Sequence, residues 1–399
     1  MTVGSTTRPT LGDRGLFPNL EARAYLNHAA VSPLSSPVEA AARGVIEDMA
    51  RRGVSAVPDW FAQRERLREK LAALVGADSE EIGFVQSTTK GITDLALSIP
   101  WRRGDRVVLF EGEFPGNVTP WQRAAELFQL ELKWLPLAPF HRSEEEGLAA
   151  LRTALVDGAR MVAVSAVQFQ TGLRMPLEAM GALVGEHGAE FFVDGIQALG
   201  ASPIDVRRMR IDYLSTGGHK WLMGLEGAGF VVVARARADA LRPYTAGWLS
   251  HEEPLKFLLE GKGHLDYSRP LAKGAKVFEG GAQNAVGYAA LEASLDLILQ
   301  IGIDEIAAHL QRYHDELEPV LVEHGFRSLR VPFPTGRSGA LCVDVPKETT
   351  APEVQRRLSA EGIATTTPDG FLRFSPHWPN AIDEVSRIRA ALESLPGSE

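Results

Sequence analysis

The chain has 399 residues, of which 45% are apolar and 23% charged, and these values are ordinary for a folded globular protein. Its net charge of −9 argues against a nucleic-acid partner, because such a partner usually requires clustered lysine and arginine. No stretch approaches the roughly 20 apolar residues of a membrane-spanning helix, and the single cysteine, Cys342, fits a reducing compartment, so we expect a cytoplasmic protein that does not bind membranes.

Short β-rich runs alternate with amphipathic helical stretches between about residues 21 and 281. Several of these runs, such as 106–110 and 161–165, are continuously apolar. Continuous apolar strands are typical of a parallel sheet that is covered on both faces. The alternation therefore predicts an α/β fold with a mainly parallel central sheet and helices on both faces.

A different pattern begins at about residue 284, where a long helical stretch is followed by two strand-like runs, each before another helical stretch. This order is typical of a smaller α+β unit. We predict a large α/β domain over residues 22–282, and a small α+β domain formed by residues 1–21 together with 283–399.

A carboxylate and an amine follow two of the predicted strands. Asp194 closes the apolar run 191–193, and Lys220 lies in the glycine-rich exit of the next run. Ligands of open α/β sheets bind beyond the carboxyl ends of the strands. The pair suits pyridoxal 5'-phosphate (PLP), which needs an amine for a Schiff base and a carboxylate for its ring nitrogen. A helix-capping aspartate and a surface lysine remain the structural alternatives.

Hydroxyl groups precede a predicted helix at Ser87, Thr88 and Thr89. Together with the free backbone N–H groups of a helix N-terminus they suit the phosphate of the coenzyme, although a plain N-cap gives the same pattern. His219, directly before Lys220, is a second candidate for a phosphate contact, with packing as its alternative.

Three further side chains have both a functional and a structural interpretation. Gln197 could reach the phenolic oxygen of PLP or lie in solvent on the first turn of a helix. Phe114 could stack on the pyridine ring or belong to the core. Arg373, within an apolar run, could bind a substrate carboxylate through two N–H donors or form a structural salt bridge.

Together these segments resemble the class V, or cysteine desulfurase-like, branch of the fold-type I PLP-dependent enzymes, and the resemblance covers almost the whole chain. The segments that carry it are Tyr25-Leu-Asn-His28, Ser87-Thr-Thr-Lys-Gly91, Phe114-Pro-Gly-Asn117, Val164-Ser-Ala-Val-Gln-Phe-Gln-Thr-Gly172, Asp194-Gly-Ile-Gln197, Gly218-His-Lys-Trp221, Phe278-Glu-Gly-Gly-Ala-Gln-Asn284 and Leu372-Arg-Phe-Ser-Pro-His377.

The resemblance implies that Lys220 and Asp194 are the catalytic residues of a PLP-dependent enzyme. The residues it assigns to the coenzyme are Ser87, Thr88, Thr89, Phe114, Asp194, Gln197, His219 and Lys220. The residues it assigns to an amino-acid substrate are Arg373, Asn27 and His28. It also implies a homodimer in which residues 278–284 reach the partner's active site, although Ala282 stands where the family usually has threonine. No metal ligand is singled out.

Several reactions remain open after a bond at Cα is activated. The first expectation is an aminotransferase, and the alternative is a β-eliminating C–S or C–C lyase that is kynureninase-like or cysteine-conjugate lyase-like. An epimerase and a non-catalytic PLP-binding protein are further alternatives. The loop 363–371 contains no cysteine, and Cys342 lies within a predicted strand. Because desulfurases of this family use a cysteine in that loop as sulfur acceptor, we expect that the protein is not a persulfide-forming desulfurase.

Overall fold

The structure is a computed structural model that describes residues 8–393. The strands are β1 (Ala24–Tyr25), β2 (Ile82–Val85), β3 (Arg106–Phe110), β4 (Glu131–Leu135), β5 (Met161–Ser165), β6 (Glu190–Asp194), β7 (Tyr213–Gly217), β8 (Gly229–Val233), β9 (Arg327–Ser328), β10 (Leu341–Asp344), β11 (Ile363–Ala364) and β12 (Leu372–Phe374). The helices are α1 (Ser36–Arg52), α2 (Val57–Val75), α3 (Thr88–Ser98), α4 (Thr119–Phe128), α5 (Ala138–Arg142), α6 (Glu144–Val156), α7 (Leu177–Glu186), α8 (Arg235–Ala238), α9 (Lys256–Leu259), α10 (Ala285–Ile301), α11 (Ile303–Glu323), α12 (Ala351–Ala360) and α13 (Glu384–Glu393).

The central sheet has seven strands in the order β2-β8-β7-β6-β5-β3-β4. Strand β8 runs antiparallel to both of its neighbours, and every other pair along the sheet is parallel. The prediction of a mainly parallel α/β sheet is therefore confirmed. The arrangement brings the carboxyl ends of β2, β7, β6, β5 and β3 to one edge of the sheet, where ligands of such folds bind.

Apolar side chains cover both faces of this sheet. Along β5 and β6, Val164 and Val193 face one apolar core, whereas Ala163 and Phe192 face another. Every residue of these two strands is buried. Burial on both faces explains why the strands read as continuous apolar runs rather than as alternating ones.

The long helical pattern after residue 284 forms two helices, α10 and α11, which bend by 77° at their junction. The junction is Gly302, which has a positive φ of 95°, a conformation that glycine adopts without steric cost. Within residues 8–393, no single helix is long and apolar enough to cross a membrane, and the bent pair passes only by length and composition.

A third apolar core gathers residues from both ends of the chain. Ala24 and Leu26 pack with residues of α11–α13, β10 and β12. Strand β1 pairs in parallel with β11, and β10 lies between β12 and β9 in an antiparallel sheet. The proposed division into two domains stays a prediction, and this separate core is the feature that supports it.

Candidate active site

Five strand ends bring polar side chains to the same edge of the central sheet. Asp194 ends β6 and Ser165 ends β5. Lys220 follows β7, Glu113 follows β3 and Ser87 follows β2. The sequence places these residues far apart, and the parallel topology brings them together.

Asp194 is buried and Lys220 is partly buried, and the two groups influence each other electrostatically. Burial lowers the pKa of Lys220, and Arg373 lowers it further, whereas Asp194 raises it. Burial raises the pKa of Asp194, and a hydrogen bond from the Ile196 backbone N–H to Oδ1 (2.9 Å) opposes that rise. The raised pKa of Asp194 and the lowered pKa of Lys220 therefore both move towards neutral pH. A general acid or base works best when its pKa is near the operating pH.

The predicted phosphate contacts lie around the first turn of α3. Ser87 is the N-cap, and its hydroxyl accepts a hydrogen bond from the Lys90 backbone N–H at 3.1 Å. The Thr88 Oγ1 atom is buried without a hydrogen-bond partner. A Cβ atom at Gly217 would lie 3.2 Å from Thr88 Oγ1 and 3.3 Å from His219 Nδ1. The Thr88 hydroxyl and the His219 imidazole therefore both lie close to the backbone of Gly217, which carries no side chain.

Thr89, the remaining predicted phosphate contact, is exposed on the same turn. A Cβ atom at Gly116 would lie 3.0 Å from Thr89 Oγ1. Thr89 therefore lies beside the turn that carries Phe114.

Phe114 lies above the lysine rather than in the core. Its side chain is 46% exposed, and Lys220 Nζ is 5.6 Å from the centroid of its ring. The edge of the Phe169 ring packs against it, with a centroid distance of 5.3 Å. An exposed aromatic face next to the lysine is suitably placed for stacking on a flat ligand.

Gln197 is buried, and both ends of its amide have partners within the protein. Nε2 donates to the Ala29 carbonyl at 3.1 Å, and Oε1 accepts from Trp221 Nε1 at 2.9 Å. The amide retains one N–H for a ligand. The contact with the phenolic oxygen of PLP stays a prediction.

Arg373 is 5% exposed and has no acidic partner among residues 8–393 within salt-bridge distance. Its Nη1 donates to the Phe169 carbonyl at 3.0 Å, and Nε is buried without a partner. Burial lowers its pKa. A guanidinium with unused donors in a buried position is suited to an anion from outside the protein.

The segment around His28 connects the N-terminal strand with the lysine. His28 is fully buried, and its Nδ1 lies 2.7 Å from Ser32 Oγ. The Ser32 hydroxyl donates to the Lys220 carbonyl at 2.6 Å. Asn27 forms a bridge with Ser375, and its Oδ1 is buried without a partner. The substrate roles predicted for Asn27 and His28 stay predictions.

Residues 278–284, the predicted contact with a partner subunit, are at least partly exposed from Glu279 onwards, and Ala282 and Asn284 are exposed. Gly247 packs closely against this segment, because a Cβ atom there would lie 2.0 Å from the Gly280 carbonyl oxygen. The contact with a partner subunit stays a prediction.

Sequence reasoning did not single out Glu113, which lies between β3 and Phe114 and is 8% exposed. Its carboxylate accepts hydrogen bonds from Ser165, Gln168 and Asn117. The signal in the sequence is a charged residue directly after a buried apolar strand. That signal is weak, because such residues are also common in solvated turns.

Comparison with known proteins identifies the family. The profile of the family "Aminotransferase class-V" matches residues 24–371. An uncharacterized aminotransferase of Bacillus subtilis, YcbU, is 24% identical over 375 residues, which cover 93% of this chain and 94% of that protein. A probable cysteine desulfurase of Pyrococcus abyssi is 27% identical over 369 residues, 86% of each chain.

A cystine C–S lyase, C-DES, in complex with its reaction product cysteine persulfide, has the same fold. The TM-score is 0.86 at 23% identity, over 95% of this chain and 99% of that one. A variant of the same lyase with glycine covalently linked to its PLP cofactor gives a TM-score of 0.88 at 23% identity, over 96% and 99%.

These comparisons correct the expected reaction. The expected function put transamination first and excluded persulfide formation, and it is wrong in that exclusion, because relatives and structural neighbours include cysteine desulfurases and a lyase whose reaction product is cysteine persulfide. The sequence argument assumed that the sulfur acceptor must be a cysteine of the enzyme. The lyase carries cysteine persulfide as its reaction product, so the lack of a cysteine in loop 363–371 does not exclude this chemistry. The chain belongs to the class-V aminotransferase family of PLP-dependent, fold-type I enzymes, which act on small amino-acid substrates with pyridoxal 5'-phosphate as cofactor.

Proposed function

We propose that this enzyme is a C–S lyase that releases a small-molecule persulfide from the disulfide of cysteine. The observation that carries the proposal is the burial of Cys342, the only thiol in the sequence. Burial raises the pKa of this thiol to about 12, so it is a poor nucleophile. A sulfur atom set free in the site therefore leaves on a product. The similarity to a cystine C–S lyase over nearly all of both chains supports the same reaction.

The residues at the strand edge fit PLP. The orphan hydroxyl of Thr88 and the imidazole of His219 approach the bare backbone of Gly217, and the N-terminus of α3 adds backbone N–H groups, so this corner suits a phosphate. Asp194 would hold the ring nitrogen, Lys220 the aldehyde carbon, and the face of Phe114 the ring. When bound, the coenzyme supplies an electron sink for bond cleavage at Cα.

Lys220 would move the proton at Cα of the substrate. Its lowered pKa increases the fraction of neutral amine near pH 7, which is the form that accepts a proton. Asp194 is close enough to raise the pKa of Lys220. Burial raises the pKa of Asp194 itself, so its carboxylate is more stable when it shares a proton with the ring nitrogen of the coenzyme than when it is an unpaired charge.

Arg373 would bind the α-carboxylate of the substrate through its unused N–H donors. The guanidinium is buried, and it lies near enough to Lys220 to lower the pKa of that amine. A carboxylate held there presents the Cα–H bond to Lys220, and this fixed orientation limits which bond breaks.

The reaction balances without an external oxidant. The Cβ–S bond of cystine breaks, and both sulfur atoms leave with the second cysteine as cysteine persulfide. Water hydrolyses the remaining three-carbon fragment to pyruvate and ammonia. One cystine and one water therefore give one cysteine persulfide, one pyruvate and one ammonia.

The test compares L-cystine with L-cysteine on the holoenzyme and on Cys342→Ser. We expect cystine to yield pyruvate and alkylation-trapped cysteine persulfide in equal amounts, at the same rate in both proteins. Two results would overturn the proposal. One is turnover of cysteine with the persulfide trapped on Cys342 and lost in Cys342→Ser, and the other is product formation only when a keto acid is added.

We also propose that the enzyme is a homodimer with residues 278–284 at the partner's active site. Large apolar side chains are exposed between Tyr244 and Tyr267, the latter at 90%, and such surfaces mark interfaces. Light scattering of Tyr267→Glu should give a smaller mass than the wild type, and a wild-type monomer would contradict the proposal.

The buried free thiol of Cys342 agrees with a cytoplasmic location, which cell fractionation tests.

A further inference from the structure

The buried carboxylate of Glu113 is surrounded by neutral hydrogen-bond donors. Oε1 accepts from the Ser165 backbone N–H at 2.7 Å and from Gln168 Nε2 at 3.1 Å. Oε2 accepts from Asn117 Nδ2 at 3.2 Å and from the Ser165 hydroxyl. These four donors match the acceptor capacity of an ionised carboxylate.

The same set of donors disfavours the protonated form of Glu113. The Ser165 backbone N–H can only donate, and the two amide nitrogens face the carboxylate with their hydrogens. Burial raises the pKa of Glu113 above its usual value, and these hydrogen bonds oppose that rise without cancelling it. Among residues 8–393 Glu113 forms no salt bridge, and the hydrogen bonds that lower its pKa come from Ser165, Gln168 and Asn117, which are neutral, so neutral donors stabilise the charge of the ionised group.

This charge is bound to Ser165 on the strand next to Asp194. Ser165, which donates twice to Glu113, is the register partner of Asp194 on the neighbouring strand. Adjacent strands are about 4.8 Å apart, so the two carboxylates are within about two strand spacings of each other. The ionisable groups that act on Asp194 are Glu113, which raises its pKa, and Lys220, which lowers it.

Glu113 also anchors the turn that carries Phe114. Asn117, which donates to Glu113, is fully buried and accepts from Trp121 Nε1 at 3.1 Å. Its backbone N–H donates to the Phe114 carbonyl at 2.8 Å. The turn is thereby fixed to β5, with the Phe114 ring next to Lys220 Nζ.

We propose that Glu113 stays ionised inside the protein and acts as a positioning residue, which holds the Phe114 turn beside Lys220 and supplies a second negative charge behind Asp194. That charge favours a protonated ring nitrogen on the coenzyme, because it attracts a proton held in front of Asp194. The proposal concerns the coenzyme end of the site and does not depend on which sulfur compound is the substrate.

The test uses Glu113→Gln, which removes the charge, and Glu113→Asp, which keeps it. Glu111→Gln is the matched control, because Glu111 lies on the same connection and is exposed. The first readout is the midpoint of the pH titration of the visible absorbance of the bound coenzyme. The second is the dissociation constant of PLP from the apo-protein.

We expect Glu113→Gln to lower the titration midpoint by about 1.5 pH units, the effect of a charge some 8 Å away at an effective dielectric constant of about 20. It should also raise the dissociation constant of PLP several-fold. Glu113→Asp and Glu111→Gln should keep the wild-type midpoint. A purely structural role would shift the midpoint equally in Glu113→Gln and Glu113→Asp, or in neither, and either result would overturn the proposal.

An infrared measurement decides the question if Glu113→Gln does not fold. At pH 7 the infrared band of protonated carboxyl groups should be the same in the wild type and in Glu113→Asp, because an ionised Glu113 does not contribute to it. A protonated band that moves in this variant would identify Glu113 as neutral and would overturn the proposal.

Discussion

Replacing Arg373 by methionine should separate the stability of this protein from its function. The guanidinium is 5% exposed, its Nε has no partner, and Nη1 bonds only to the Phe169 carbonyl. Replacing buried ionic groups by apolar side chains of similar volume is often neutral or stabilising by about 1–4 kcal/mol. The lost hydrogen bond to Phe169 offsets roughly 1 kcal/mol of this gain. We therefore expect the free energy of unfolding of Arg373→Met to be unchanged or higher by up to about 3 kcal/mol.

The same substitution should weaken substrate binding. A hydrogen bond to a charged group contributes about 1.5–3 kcal/mol, which corresponds to a roughly 10- to 150-fold rise in KM. Urea unfolding of the apo-protein measures the first effect, and initial rates of the holoenzyme measure the second. Arg356→Met is the control, because Arg356 is exposed on α12 and its replacement should change the unfolding free energy by less than about 0.5 kcal/mol.

Two results would refute this reasoning. A loss of more than about 3 kcal/mol in Arg373→Met would mean that the guanidinium has a partner in the folded protein, since breaking a buried ion pair costs about 3–5 kcal/mol. An unchanged KM would mean that the substrate carboxylate is bound elsewhere.

Three further predictions concern single positions. Lys220→Ala should abolish turnover and the visible absorbance of the bound coenzyme, and residual full activity would contradict its role. Gly217→Ala should raise the dissociation constant of PLP several-fold with little change in apo-protein stability, because the new Cβ atom would crowd Thr88 Oγ1 and His219 Nδ1; equilibrium dialysis would detect it. Burial lowers the pKa of His314 to about 4, so below about pH 6.5 the unfolded chain binds a proton that the folded one does not. Stability should therefore fall by about 1.4 kcal/mol per pH unit down to pH 4, and urea midpoints should show a smaller loss in His314→Leu.

The sequence predicted the sheet, and it placed Asp194 and Lys220 at its carboxyl edge, because both depend on local patterns; their catalytic roles stay a prediction. The runs that end at Asp194 and precede Lys220 are continuously apolar, and the strand-end rule places such residues at one edge. The pattern after residue 284 did not reveal the bend, because a glycine such as Gly302 is tolerated within a helix as well as at its end.

Features that depend on distant partners could not be predicted. The donors around Glu113 come from Ser165 and Gln168, more than 50 residues further along the chain. The lack of an acidic partner for Arg373 depends on every side chain that packs around it. The need for a loop cysteine came from the resemblance and not from any contact within this chain, and this is why the absence of a cysteine from loop 363–371 led to a wrong exclusion.

The pairing of β1 with β11 has a consequence for the order in which the protein folds during synthesis. The segment that supports Lys220 through Ser32 leaves the ribosome more than 300 residues before its strand partner at Ile363–Ala364 and before Ser375, which forms a bridge with Asn27. Contacts between residues so far apart in sequence form slowly, because a long loop must close first. The nascent chain should therefore acquire its affinity for PLP only after Ile363–Ala364 has been synthesised, and until then β1 has no strand partner.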